Sequence, residues 1–168
     1  MDEAHVGFCD EMPFLESNSI DLAVSNNVLE HVANPDTFLS EINRVLKPGG
    51  KYIVKTPNIY HYIIVLSRIT PDWFHVFFNK LRGRPSEDTF PTLYKINCKK
   101  DLYDYAHKNG FSVEEYHPFE ARPEYLRVFF PLYIMGIVYE RIINFLNISS
   151  MKIIYYAVLK KEKHIKPN

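Results

Sequence analysis

The sequence predicts an α/β chain: a mostly parallel sheet carrying helical insertions. Three observations point there. Short apolar runs alternate with a segment of helical period in the first third of the chain. The run Ile20 to Ser25 is apolar on both faces apart from Asp21, the pattern of a strand covered on both sides in a parallel sheet. A length of 168 residues, 46% hydrophobic and 24% charged, fits one globular domain and excludes a disordered chain.

The elements follow in order. His5 to Cys9 reads as a short strand, and Met12 to Ser19 as a polar connection into the strand Ile20–Ser25. Asn34 is suited to cap a helix, with Pro35 at its first position and Asp36 favouring its positive end. Phe38, Leu39, Ile42, Val45 and Leu46 then recur at helical spacing, and Pro48-Gly49-Gly50 ends the helix after Lys47. Lys51 to Thr56 is the next strand, which completes a βαβ unit with a right-handed crossover. Between residues 59 and 96 the pattern loosens. An apolar helix is expected over Tyr60 to Ile69, an aromatic one over Asp72 to Lys80, and a loop over Arg82 to Thr92. An insertion of this length is either a lid over a site or a helical cover for the sheet. Asn97 is placed to cap a helix from Cys98 to Asn109 that ends at Gly110. Phe111 to Phe119 is a strand, the stretch after Pro131 is helical to Asn147, and Ile153 to Lys160 is a last strand before a polar tail. The whole reads as one domain over 1–168, with insertions at 59–96 and 121–148.

The 20 basic and 20 acidic residues cancel, so no basic field marks a nucleic-acid binder. Cys9 and Cys98 are the two cysteines; without a CxxC pair they read as free thiols in a reducing, cytoplasmic setting. The acidic start Met1-Asp2-Glu3 lacks the apolar region of a signal peptide. No apolar run approaches the ~18 residues of a membrane span. The apolar stretch from Tyr125 to Leu146 is expected to pack on the sheet or against a second copy. Its alternative is a peripheral membrane surface or contact with a lipid-linked acceptor.

Open α/β sheets bind ligands beyond the carboxyl ends of their strands. The positions to inspect are therefore Phe8, Cys9 and Asp10, then Ser25, Asn26 and Asn27, then Thr56-Pro57-Asn58. Asn both donates and accepts, so the middle cluster can hold an amino-acid end. His31 is a candidate general base, because imidazole titrates near neutrality; its plainer role is to close the turn with Glu30 and pack beneath the site. His61 and His75 read as surface residues, Asp21 as a partner of nearby backbone, and Arg44 and Lys47 as a solvated helix face. No metal-ligand spacing is apparent.

Met12-Pro13-Phe14, the run from Ser19 through Leu29-Glu30-His31-Val32, Asn34-Pro35, the run Glu41 to Gly50 containing Arg44-Val45-Leu46-Lys47-Pro48-Gly49-Gly50, and Thr56-Pro57-Asn58 together resemble the class I S-adenosylmethionine-dependent methyltransferases, type 11 subgroup. The resemblance implies a partial Rossmann-like methyltransferase sheet. It implies S-adenosylmethionine as cofactor and methyl transfer to a small-molecule, glycan or lipid-linked acceptor. By that resemblance Asn26 meets the methionine part of the cofactor with Ser25 and Asn27 beside it, while Phe8, Cys9 and Asp10 surround the adenine. The sequence departs from the family there: Phe8 stands at the usual adenine-binding Asp position, and Asp10 follows two residues later. The family's glycine-rich loop and ribose-binding acid precede the segment where the match begins, which leads us to expect a truncated chain. Its His5–Cys9 strand would lack a neighbour, and Ile20–Ser25 would be a bare edge. A non-catalytic remnant or interaction module is the alternative; a nicotinamide-dependent oxidoreductase of similar fold suits the motifs poorly.

Overall fold

The computed structural model describes residues 4–7, 9–71, 80 and 92–162. Four strands form one sheet in the order β1-β2-β4-β3: β1 (Ile20–Asn26), β2 (Leu46–Pro57), β3 (Phe111–Phe119) and β4 (Ile154–Lys161). β1 and β2 pair in parallel, and β4 is antiparallel to both β2 and β3. β3 therefore runs with β1 and β2, so Asn26, Pro57 and Phe119 end on one side of the sheet. The α/β class read from the pattern is the class observed.

Helices α1 (Pro35–Val45), α2 (Tyr62–Ile69), α3 (Lys99–Lys108) and α4 (Phe130–Phe145) complete the framework. The Asn34 side chain accepts the Thr37 N–H at 3.3 Å and Pro35 opens α1, as the local signals require. α1 ends earlier than expected, at Val45. The chain enters β2 at Leu46 and passes through Pro48-Gly49-Gly50 inside the strand, where the β1 register jumps from Ile20↔Leu46 to Leu22↔Lys51. Gly49 has φ 82°, and a Cβ on Gly50 would lie 2.8 Å from the Lys47 carbonyl oxygen, so this irregular crossing needs both glycines. At α3 the cap is Cys98, whose Sγ accepts from the Asp101 N–H at 3.5 Å. Asn97, the expected cap, turns instead into the sheet.

The core lies on one face. Phe38, Leu39 and Ile42 from α1 and Leu102 and Ala106 from α3 cover Tyr52, Val54, Tyr155, Ala157 and Leu159. The alternate residues face the other way, so Leu22 and Val24 of β1 are 51% and 65% exposed. A strand covered on both faces was expected; α1 and α3 pack on the same face, and among the described residues no helix covers the other. β1 is also an edge of this four-stranded sheet, the position expected for Ile20–Ser25. Residues 4–7 form no strand, and Cys9 and Asp10 lie in a turn. A lone segment has no ladder to satisfy its backbone groups, which accounts for the loss of the His5–Cys9 strand. The expected Asp72–Lys80 helix and Arg82–Thr92 loop fall mostly outside the described residues.

The readings of Arg44 as a solvated cation and of Asp21 as a partner of nearby backbone are corrected. Arg44 is a clamp: its guanidinium donates to Leu15 O at 2.9 Å and Met12 O at 3.0 Å, and grips both oxygens of Glu41 at 2.8 Å. Glu41 also accepts the Met12 N–H at 2.7 Å. The residue pair thus fastens the connection before β1 to α1. Asp21 pairs with the Lys47 ammonium at 2.7 Å and 2.9 Å, not with nearby backbone; both side chains are exposed, so the pair adds little.

Candidate active site

The carboxyl ends of β1, β2 and β3 gather the polar groups that sequence spacing left apart. β1 closes with Asn27 in the left-handed region at φ 56°, a conformation Asn tolerates better than most residues, and its N–H donates to Lys55 O at 2.9 Å. Asn26 and Asn27 are both exposed. Ser25 is turned inward, its Oγ 2.5 Å from the phenol oxygen of Tyr52, a buried ring whose pKa burial raises. Ser25 therefore secures β1 to β2 and is not presented with its two neighbours.

The chain then makes a one-turn helix, Leu29–His31, with Leu29 and Glu30 buried. His31 lines a cavity of about 470 Å³ with Gly7, Cys9, Asp10, Val28, Val32, Ala33, Asn34 and Phe38. Cys9 and Asp10 thus meet the start of α1 across one space. Phe8 and His75 lie outside the described residues. Apolar walls of Val28, Val32 and Phe38 with a carboxylate at one side suit a flat, amine-bearing ring such as adenine.

Beneath the turn lies a network that sequence reading missed. Thr56 Oγ1 donates to Glu30 Oε2 at 2.9 Å and accepts from Asn97 Nδ2 at 2.7 Å; the same amide also donates to Pro57 O at 3.0 Å. Pro57 O can only accept, which fixes the amide orientation and hence the direction of the chain, from Asn97 through Thr56 to a carboxylate. Asn97 Oδ1 is buried without a hydrogen-bond partner. The Glu30 carbonyl accepts from Leu93 N and Tyr94 N at 2.6 Å and 3.1 Å, so the returning insertion is pinned at the same point. Only the placement of Thr56 at a strand end and Glu30 after another could have hinted at it.

His61 is not a surface residue. It is 1% exposed, its Nδ1 accepts the Ile63 N–H at 3.3 Å to cap α2, and its Nε2 lies 3.3 Å from Glu120 Oε1. Glu120 in turn accepts the Ile153 N–H at 2.9 Å. The rings of Tyr62 and Tyr139 pack on His61 at 4.3 Å and 5.7 Å, and burial pushes both phenols up to about 12. Among the described residues no group of three His, Cys, Asp or Glu side chains could hold a metal ion.

Residues 2–54 match the family model described as a methyltransferase domain. A ubiquinone biosynthesis O-methyltransferase of Maricaulis maris is 39% identical over 64 residues, 38% of this chain and 23% of that enzyme. The chain thus spans about a quarter of the length of that curated relative. Among solved structures, a Haloferax volcanii complex between a methyltransferase activator and a methyltransferase superposes with TM-score 0.60 at 18% identity, over 97% of this chain and 62% of that one. An S-adenosylmethionine-dependent methyltransferase of Methanosarcina mazei gives 0.55 at 18% identity, over 95% and 67%. The first third of the chain is thus similar in sequence to methyltransferase domains, and the sheet with its carboxyl-end turn shares the fold of these solved structures.

Proposed function

We propose that the protein carrying this chain transfers a methyl group from S-adenosylmethionine to a small-molecule, glycan or lipid-linked acceptor. The observation that carries the reading is that the 470 Å³ cavity holding Asp10 and Cys9 is lined by Val28, the residue that directly follows exposed Asn26 and Asn27 at the carboxyl end of β1. Asp10 accepts from the adenine amine, with Cys9 beside it. Val28, Val32 and Phe38 exclude water from the ring. Asn26, with Asn27, holds the amino-acid end. S-adenosylmethionine, when bound, would supply an electrophilic methyl on its sulfonium, and an acceptor taking that methyl would give up a proton. His31, on the cavity wall, is the candidate to take that proton when the acceptor is a hydroxyl. Alignment of acceptor and methyl supplies much of the acceleration.

A second reading is a non-catalytic interaction module, and the exposed Leu22 and Val24 on an unpaired edge favour it. Calorimetric titration of the purified chain with S-adenosylhomocysteine separates the two. Binding that Asp10→Ala and Asn26→Ala each weaken at least tenfold supports the enzyme. Binding indifferent to both variants overturns the site, and absence of binding favours the module.

A further inference from the structure

We propose that α4 seats the protein on an anionic lipid bilayer, its axis in the plane of the membrane. α4 lies in the connection that leaves β3 at its carboxyl end, Phe119, and enters β4 at Ile154. That is the end of the sheet where the candidate site sits. Successive residues of a helix turn by about 100°, which places Phe130, Ile134, Val138, Ile142, Met135 and Phe145 on one arc of about 140°. These six are 43% to 89% exposed. The opposite side is against the protein: a Cβ on Gly136 would lie 2.6 Å from Pro123 and 2.9 Å from Leu126, and Ile143 is buried. The body of the domain thus takes the place of the polar face that an isolated interfacial helix would need.

Charge selects the occupant. Arg141 is the one ionisable side chain of α4 on the arc, and Glu140, the helix's one acid, lies on the packed side of the wheel. An apolar surface with a cation and no carboxylate complements phosphate headgroups above acyl chains. The width of the arc argues against a second copy, because pairing two helices covers a narrower stripe. α2 extends the surface: Tyr62 and Tyr139 hold the two helices together at 4.6 Å between ring centroids, and Val65, Leu66 and Ile69 of α2 are exposed. At 16 residues α4 is about 24 Å long. Among the described residues no helix is long and apolar enough to cross a membrane, so α4 lies on the bilayer. The inference rests on the methyltransferase reading only for its consequence, that an acceptor arrives from the lipid side.

The test is flotation of the full chain with vesicles of equal parts phosphatidylcholine and phosphatidylglycerol, and with phosphatidylcholine alone. The chain is expected to float with the mixed vesicles, and Ile134→Asp with Val138→Asp to lower its partition at least tenfold. Arg141→Glu should weaken binding to the anionic vesicles and spare the weaker binding to the neutral ones. All three positions are exposed, so unchanged circular dichroism and thermal melting are expected, and Phe145→Ser provides a second apolar probe. No flotation, or flotation unchanged in the apolar variants, overturns the proposal. So does a dimer in sedimentation equilibrium that the double variant converts to monomer while vesicles stay empty; that result assigns the face to a second copy. Flotation needs no cofactor, so its failure leaves the S-adenosylhomocysteine titration standing, and the converse holds.

Discussion

Thr56→Val isolates the buried relay at the strand ends, because valine keeps the shape and removes only the hydroxyl. Thr56 and Asn97 are 0% exposed and Glu30 5%, so no solvent replaces what is lost. The variant deletes a 2.9 Å bond to a carboxylate, worth about 1.5–3 kcal/mol, and one of two acceptors of the Asn97 amide, worth about 0.5–1.5 kcal/mol. Burying a methyl in place of a hydroxyl returns about 1 kcal/mol. The expected net loss is about 1–3.5 kcal/mol, read as a shift of the urea midpoint followed by far-ultraviolet circular dichroism at unchanged slope. Glu30→Gln adds the discriminating arm. In the Thr56→Val background the carboxylate has lost its hydroxyl donor, so neutralising it should relieve part of the loss, a coupling of about 1 kcal/mol or more. A loss below about 0.5 kcal/mol, or strictly additive variants, would refute the directed chain from Asn97 to Glu30.

Two further outcomes follow from the packing. Arg44→Met should free the 12–17 connection, with amide exchange at Leu15 and Asn18 accelerated while the core amides of β2 stay protected. Arg44 also holds the Glu41 carboxyl below its ordinary range, chiefly by hydrogen bonding. A depressed carboxylate contributes stability above its unfolded pKa and loses it as pH falls through the folded value, so the acid limb of the wild-type stability profile should be steeper than that of Arg44→Met. Gly136→Val places carbon where Pro123 and Leu126 already stand. Overpacking of that kind costs about 1–3 kcal/mol, and thermal melting should show the loss.

How much was legible depends on the range of the interaction. The Asn34 cap, the Pro35 start and the apolar face of α1 are contacts within a few residues, and the pattern in the chain states them directly; the glycines, expected to end α1, instead lie inside β2. The candidate positions Ser25, Asn26 and Asn27 follow from the legible end of β1, whereas Cys9 and Asp10 were placed at the end of a strand that does not form, and which of the five share a space was not legible. Cys9 and Asp10 meet Val28 and His31 in one cavity, whereas Ser25 is committed to Tyr52, 27 residues away. Arg44 looked like an exposed helix cation because its partners at Met12 and Leu15 lie 32 and 29 residues back.

The sequence by itself determined the class of fold, the βαβ unit with its caps, and the methyltransferase motifs, since local hydrogen bonds and hydrophobic period act over a turn or two. Tertiary structure decided the rest. It buried His61 against Glu120, ran Asn97 through Thr56 to Glu30, and left one face of β1 and one face of α4 open. The physical reason is the same in each case: burial, and the choice of partner for a polar group, depend on which distant elements the sheet brings together, and a side chain's own neighbours in the chain carry no record of that.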